Sequence, residues 1–317
     1  LPNIKDPQTD KGEKMKKINI FRAAIATLGA IVLLFTAGCG GQNGNAGTNS
    51  GDGENTNPPT QTVNITITGS DSMLHLCNNW AEQFMKNNKN YMITVNGGGS
   101  GVGIKALING TTDIASASRE MKGSEKDEAK TNGNEAVENL VALDGIAIAI
   151  NPENPVQDFT MTQLKDIFTG KKTNWKDFGG PDQKIIILSR ESSSGTYQFF
   201  QEHVLAKENY AQTALLMPAT SAIIDSVAQD KWAIGYVGLG YAAEAGSRIK
   251  VVPVKKDDAS PAVMPSEATV KDKSYPIARA LYLYTKTTST SDVTKFIDFV
   301  LSSEGQNIVK EAGYITK

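Results

Sequence analysis

The chain has 317 residues, 39% of them hydrophobic and 21% charged, which is enough to bury a full core and to divide into two lobes. Its 32 Lys and Arg against 34 Asp and Glu leave a formal net charge of -2. That balance excludes a broad basic field for nucleic acid, and any bound anion must be held by local dipoles and hydrogen bonds.

The amino-terminal region reads as a processing signal. Met15-Lys16-Lys17 is basic, Ala23 to Phe35 is nearly unbroken apolar sequence, and Thr36-Ala37-Gly38-Cys39 places small residues before a cysteine. This pattern resembles the lipobox of bacterial lipoproteins, with Thr36 standing where leucine is commonest. The resemblance implies that Cys39 is lipidated and becomes the first residue of the mature protein. A retained spanning helix fits less well, because the apolar run is shorter than the ~20 residues a bilayer requires. Residues 1–14 precede Met15, which reads as the natural start, so residues 1–39 comprise upstream residues followed by the lipoprotein signal peptide. Residues 40–61 are Gly, Asn, Thr, Ser and Pro with almost nothing apolar, and read as a flexible tether. With Cys39 acylated, Cys77 has no partner for a disulfide, and its apolar helical setting makes it a core residue.

From Val63 the chain alternates polar turns with strands and helices. Val63 to Thr68 has the period of a half-exposed strand, Gly69-Ser70-Asp71-Ser72-Met73 turns it, and a helix follows through Leu76, Trp80, Phe84 and Met85. The next strand, Ile93 to Val95, runs into the glycine loop Gly97 to Gly103, which contains Ser100, and Ile104 to Ile108 is helical. That loop lacks the Gly-Lys-Ser/Thr ending of a Walker loop and the dinucleotide spacing, so nucleotide chemistry has no support. Asp113 to Ala117 is a strand that delivers Ser118 and Arg119. Leu140 to Ile150 is a long apolar run, and the helix Met161 to Phe168 ends at Gly170. Trp175 and Phe178 read as core.

The strand Lys184 to Leu188 then leads into Ser189 to Thr196 and a helix carrying Tyr197, Phe199 and Phe200. This turn joins a strand's carboxyl end to a helix's amino end, where unpaired N–H groups, the helix dipole and the hydroxyls of Ser193, Ser194 and Thr196 favour an anion. Arg190 adds a planar fork suited to a tetrahedral oxyanion. A helix around Ala222 to Ala228, a strand Ala233 to Val237, a strand Ala278 to Tyr284 and a last helix through Phe296 to Leu301 complete the pattern. Four polar turns at strand ends are the ingredients of a ligand site in an open α/β sheet.

Gly69 to Met73 with Trp80, Gly97 to Gly101, Asp113-Ile114-Ala115 with Ser118-Arg119, Ile167 to Gly170 with Asn174-Trp175, Arg190 with Ser194-Gly195-Thr196, and Ala233 to Val237 together resemble the PstS family of phosphate-binding proteins of bacterial ABC importers. The resemblance runs in order from about residue 63 to the carboxyl terminus. It implies an α/β, two-lobed, type II periplasmic-binding-protein-like fold whose cleft closes on inorganic phosphate, without catalysis, metal or cofactor. It further implies a monomer outside the cytoplasmic membrane, anchored through Cys39 and delivering phosphate to ABC permease subunits. Residues 62–146 with 277–317 would form lobe 1 and residues 147–276 lobe 2.

The family roles fall on Ser70, Asp71, Ser72 and Met73 in the first turn, and on Ser100, Ser118 and Arg119. In the second lobe they fall on Arg190, Ser194, Gly195 and Thr196. One departure stands out: well-known members place an aspartate, the acceptor for the proton that phosphate carries and sulfate lacks, where this chain has Ser118. Asp71 is the expected replacement acceptor and Asp113, at a strand's beginning, its rival. Receptors for sulfate or molybdate remain an alternative. A secreted serine hydrolase or phosphatase, with Ser194 or Ser100 as nucleophile and His75 or His203 as base, is a weaker one, since neither serine lies in Gly-x-Ser-x-Gly.

Overall fold

A computed structural model describes residues 61–317. The lipobox cysteine Cys39 and most of the tether lie outside the described residues. The first stretch of the fold contains β1 (Val63–Gly69), α1 (Leu74–Asn87), β2 (Tyr91–Asn96), α2 (Ser100–Ile108), β3 (Ile114–Ala117), α3 (Gly123–Thr131) and the long β4 (Ala136–Ile150). The second contains β5 (Phe159–Thr160), α4 (Met161–Phe168), β6 (Ile186–Arg190), α5 (Gly195–His203), β7 (Leu215–Met217), α6 (Thr220–Gln229) and β8 (Ala233–Gly238). It continues through α7 (Leu239–Ala245), β9 (Lys250–Val252), β10 (Val254–Lys255) and α8 (Glu267–Lys271). The chain ends with β11 (Ala278–Lys286), α9 (Ser291–Leu301) and α10 (Ser303–Glu311).

Nine strands form one sheet in the order β2-β1-β3-β11-β4-β8-β6-β7, with β9 also on β4. Parallel pairs β1/β2 and β1/β3 occupy one end and β6/β7 and β6/β8 the other, while β11 and β4 run antiparallel in the middle. β4 changes partner along its length. From Ala136 to Gly145 it pairs with β11, and from Ile146 to Ile150 with β8. A single strand thus serves both lobes, and the chain crosses between them there and again at Ala278.

The cores divide the same way. Trp80, Phe84, Leu76, Phe296 and Val300 pack on one face of the first half of the sheet, and Ile104, Leu107 and Tyr284 on the other. Phe159, Phe168, Trp175, Phe200 and Tyr236 form the main core of the second half. Trp80 and Trp175 also satisfy their indole N–H groups, on Gly305 O at 2.8 Å and Trp232 O at 3.0 Å. Cys77 is fully buried in the first core, and burial pushes its thiol up to about 12, which makes it an inert packing residue.

Two boundaries differ from the sequence pattern. The glycine loop is shorter than expected because α2 already begins at Ser100. Gly103 lies inside that helix, and a Cβ there would come within 2.2 Å of Thr68 O, so glycine lets α2 press onto the end of β1. The strand before the second-lobe turn extends to Arg190, so Ser189 and Arg190 are strand residues rather than turn residues.

Candidate functional site

The carboxyl ends of β1 and β3 and the amino ends of α2 and α5 meet at one point. From β1 comes the turn Ser70 to Met73, whose Ser70 N donates to Ser116 O and Ser116 Oγ, both at 2.9 Å. Its backbone is held from behind by Tyr314, whose hydroxyl donates to Ser72 O at 2.5 Å, and by Tyr241, which donates to Asp71 O at 2.8 Å. Burial pushes the Tyr241 hydroxyl up to about 12, so it remains a donor at any physiological pH.

Five hydroxyls converge in front of this turn. Ser70 Oγ lies 2.9 Å from Ser72 Oγ and donates to Ser118 Oγ at 3.0 Å; Ser118 Oγ lies 3.2 Å from Ser100 Oγ. Across the lobes, Ser72 Oγ is 3.2 Å from Thr196 Oγ1. All five are buried. Ser100 and Thr196 stand in the first turns of α2 and α5, so two helix amino termini point their unpaired N–H groups and positive dipole ends at the cluster. Ser194 caps α5, its Oγ accepting from Tyr197 N at 3.3 Å. The lobes also touch through the backbone, where Gly101 N donates to Ser193 O at 3.0 Å.

Of the residues singled out in the sequence, Ser70, Ser72, Ser100, Ser118, Ser194, Gly195 and Thr196 are brought together. Asp71 and Arg190 lie beside them but face one another: Arg190 Nη2 donates to Asp71 Oδ2 at 2.7 Å, and Asp71 Oδ1 accepts from Gly98 N at 2.9 Å. Both Asp71 oxygens are therefore engaged away from the hydroxyls. Asp113, the rival acceptor, holds Thr66 N at 2.8 Å at the far end of the strands.

Met73 and Arg119 point elsewhere. The Met73 side chain is fully buried in the first-lobe core. Arg119 makes a two-pronged contact with Glu125, both bonds at 2.8 Å, and donates to Glu120 O, so its fork closes a neighbouring loop. It lines a cavity of about 450 Å³ beside the hydroxyl cluster, together with Lys122, Phe199, His203, Arg279 and Tyr282. Burial pushes the Glu125 carboxyl up, but Arg119 and the Lys122 N–H outweigh it and hold the group below the usual range. A depressed carboxylate adds stability that is present above its unfolded pKa and lost as pH falls through the folded value. Glu125→Gln is accordingly expected to cost about 1–3 kcal/mol at pH 7. In denaturant titrations the gap to the parent chain should close below about pH 4, and a gap independent of pH would contradict the assignment.

The histidines do not meet the serines. His75 is exposed and pairs with Asn79 at 3.3 Å, while His203 Nδ1 contacts Phe199 O at 3.0 Å. Among the described residues there is no group of three or more metal-ligating side chains, and no helix is long and apolar enough to cross a membrane.

Sequence reasoning missed one pair. Arg279 on β11 and Asp144 on β4 are register partners, and their side chains are 1% and 0% exposed. Arg279 Nε and Nη2 donate to Asp144 Oδ2 at 3.1 and 2.8 Å, and Asp144 Oδ1 accepts from Leu239 N at 2.9 Å. The other edge of the guanidinium reaches Ser72 Oγ, Thr196 Oγ1 and Ser118 O at 3.2, 2.9 and 3.2 Å. Burial pushes the Asp144 carboxyl up, against the pull of Arg279 and the Leu239 and Gly145 N–H groups. The available signal was one charge of each sign inside two apolar strands.

A model of the PBP superfamily domain matches residues 51–304. The phosphate-binding protein PstS of Staphylococcus epidermidis is 35% identical over 307 residues, 95% of this chain and 89% of that protein. That of Staphylococcus aureus strain USA300 is 33% identical over 294 residues, 91% and 85% of the two chains. Among solved structures, one from Clostridium perfringens, described as a phosphate ABC transporter substrate-binding protein with bound phosphate, superposes with a TM-score of 0.73 at 35% identity. It covers 80% of this chain and 99% of that one. An ABC-type phosphate transport receptor from Vibrio cholerae gives a TM-score of 0.65 at 30% identity, covering 80% and 100%.

Proposed function

Because this chain belongs to the PBP superfamily, and within it to the family of PstS phosphate-binding proteins, we propose that it captures inorganic phosphate between its two lobes and delivers it to an ABC importer. The observation that carries the reading is the buried hydroxyl cluster where the amino termini of α2 and α5 meet the β1 turn and Ser118. Ser70, Ser72, Ser100, Ser118 and Thr196 supply rotatable hydroxyls, and Gly195 and its neighbours supply N–H groups. The hydroxyls now bond to one another at 2.9 to 3.2 Å, so admitting a tetrahedral anion requires them to separate. The lobes, residues 62–146 with 277–317 and residues 147–276, open and reclose about the β4 and β11 crossings, and closure dehydrates the ligand.

The two buried arginines beside the hydroxyls, Arg190 and Arg279, are each neutralised by a carboxylate, so binding relies on oriented donors rather than net charge. A hydroxyl donates or accepts, so one of the five can accept the hydrogen bond of the P–OH group of HPO₄²⁻ while the others donate to its remaining oxygens. A carboxylate dedicated to that proton would repel sulfate more strongly, so sulfate is the second ligand to test. Anchoring through a lipid on Cys39, a monomeric state on the outer face of the membrane, and binding without catalysis complete the reading.

Calorimetric titration of ligand-stripped protein with phosphate and then sulfate tests it. Stoichiometric phosphate binding, with sulfate weaker, is expected; heat from neither anion would end the receptor reading.

A further inference from the structure

The turn that follows β1 is held by a group far away in the chain. Asp71 O accepts two hydrogen bonds, one from Leu74 N and one from Tyr241 Oη at 2.8 Å. The first is an i to i+3 bond of the short 3-10 turn Asp71–Met73, whose geometry is poorer than that of an α-helix and leaves the carbonyl room to tilt. The second comes from α7, 170 positions away, in the stretch assigned to the other lobe.

Asp71 O and Ser72 N–H belong to one planar trans peptide, so they point in opposite directions. Fixing the oxygen on Tyr241 at the rear therefore aims Ser72 N–H forward, to the side where Ser72 Oγ meets Ser70 Oγ and Thr196 Oγ1. Ser72 N has no acceptor among the described residues, whereas the next donor, Met73 N, is spent on Ser70 O at 3.0 Å. The peptide that Tyr241 fixes is thus the one that carries a free donor.

α7 is itself firmly seated. Leu239 N, at its start, donates to Asp144 Oδ1 at 2.9 Å, and a Cβ on Gly240 would come within 2.5 Å of the Tyr314 ring and 2.7 Å of Ala312 O. The helix therefore rests at once on β4, beside the point where that strand changes partner, and on residues 312–314 at the carboxyl end.

We infer that Tyr241 is a positioning residue for anion binding: from α7 it sets the Asp71–Ser72 peptide so that Ser72 N–H faces the anion. Tyr241 itself touches no anion. Because it acts from the opposite lobe, the donor is aligned only while α7 is in place. The inference rests on the phosphate reading above and adds a residue outside the hydroxyl cluster that passes the placement of the lobes to one donor.

The test is Tyr241→Phe in the full chain beside the parent, read by phosphate calorimetry, by melting curves without phosphate, and by backbone amide NMR shifts at saturating phosphate. Phenylalanine keeps the ring and removes only the hydroxyl. Phosphate binding is expected to weaken roughly 3- to 10-fold, the worth of about one hydrogen bond. The melting midpoint should stay within about 2 °C of the parent, because Leu74 N still satisfies Asp71 O. The phosphate-induced shift of the Ser72 amide is expected to shrink while that of Thr196, set by α5, keeps its parent value. A merely structural tyrosine would move both amides together or neither. A loss of less than threefold, or a Ser72 shift equal to the parent's, overturns the assignment. Should the variant melt well below the parent, the ratio of the Ser72 to the Thr196 shift, measured below the transition, decides by the same criterion. A parent chain that binds no phosphate brings down the functional reading itself; a parent that binds, with an unaffected Tyr241→Phe chain, brings down only the positioning role.

Discussion

Gly195→Ala is expected to weaken phosphate binding by roughly a hundredfold or more while leaving the fold in place. A Cβ at this position would sit 2.3 Å from Ser100 Oγ, 2.7 Å from Ser118 Oγ and 2.8 Å from Ser100 Cβ, so the added methyl occupies the point where the lobes meet. Nothing in the backbone resists it: Gly195 is the first residue of α5, and alanine is the better helix former there. The clash is therefore relieved by holding the lobes apart, which separates Thr196 and the α5 N–H groups from Ser72, Ser100 and Ser118. Losing two charge-assisted hydrogen bonds at about 1.5–3 kcal/mol each weakens binding by roughly a hundredfold or more. Calorimetry together with an unliganded melting curve decides the matter. Binding within tenfold of the parent would remove the amino terminus of α5 from the site.

Asp144→Ala should produce the largest loss of stability in this region. It strands the Arg279 guanidinium, whose side chain is 1% exposed, and withdraws the acceptor of Leu239 N. Breaking one side of a buried pair costs about 3–5 kcal/mol, because an uncompensated charge remains in low dielectric. For a fold of this size that is a drop of about 10 °C in the melting midpoint. The double change Asp144→Leu with Arg279→Met removes both charges at similar volume and is expected to regain most of the loss, since a well-packed apolar pair commonly matches a buried ionic one in stability. If the single variant melts with the parent, the pair is not the internal prop that its burial indicates.

Much of the architecture was legible because the relevant signals are local. The alternation in Val63 to Thr68, the helical spacing of Trp80 and Phe84, and the glycine after Phe168 each act over a few residues, and β1, α1 and α4 appear where those patterns place them. Boundaries shifted where a tertiary contact intervened. Ser100 to Gly103 joined α2 because Gly103 packs on Thr68 O and Gly69, a contact no local pattern encodes. The charged strand residues were harder to read, because Asp144 and Arg279 each sit alone in an apolar run and become a pair only through register between strands 135 positions apart.

By itself the sequence determined the set of polar turns, the strand-to-helix joints that carry them, and the family to which the chain belongs, since each depends on residue order within short windows. Only the tertiary structure decided where the side chains of those turns point. Arg190 and Arg119 have the same guanidinium, yet Arg190 turns to an aspartate 119 positions away and Arg119 to a glutamate six positions away. The direction a fork faces is set by which buried carboxylate can neutralise it at least desolvation cost, and that is a property of the closed fold, not of the local chain.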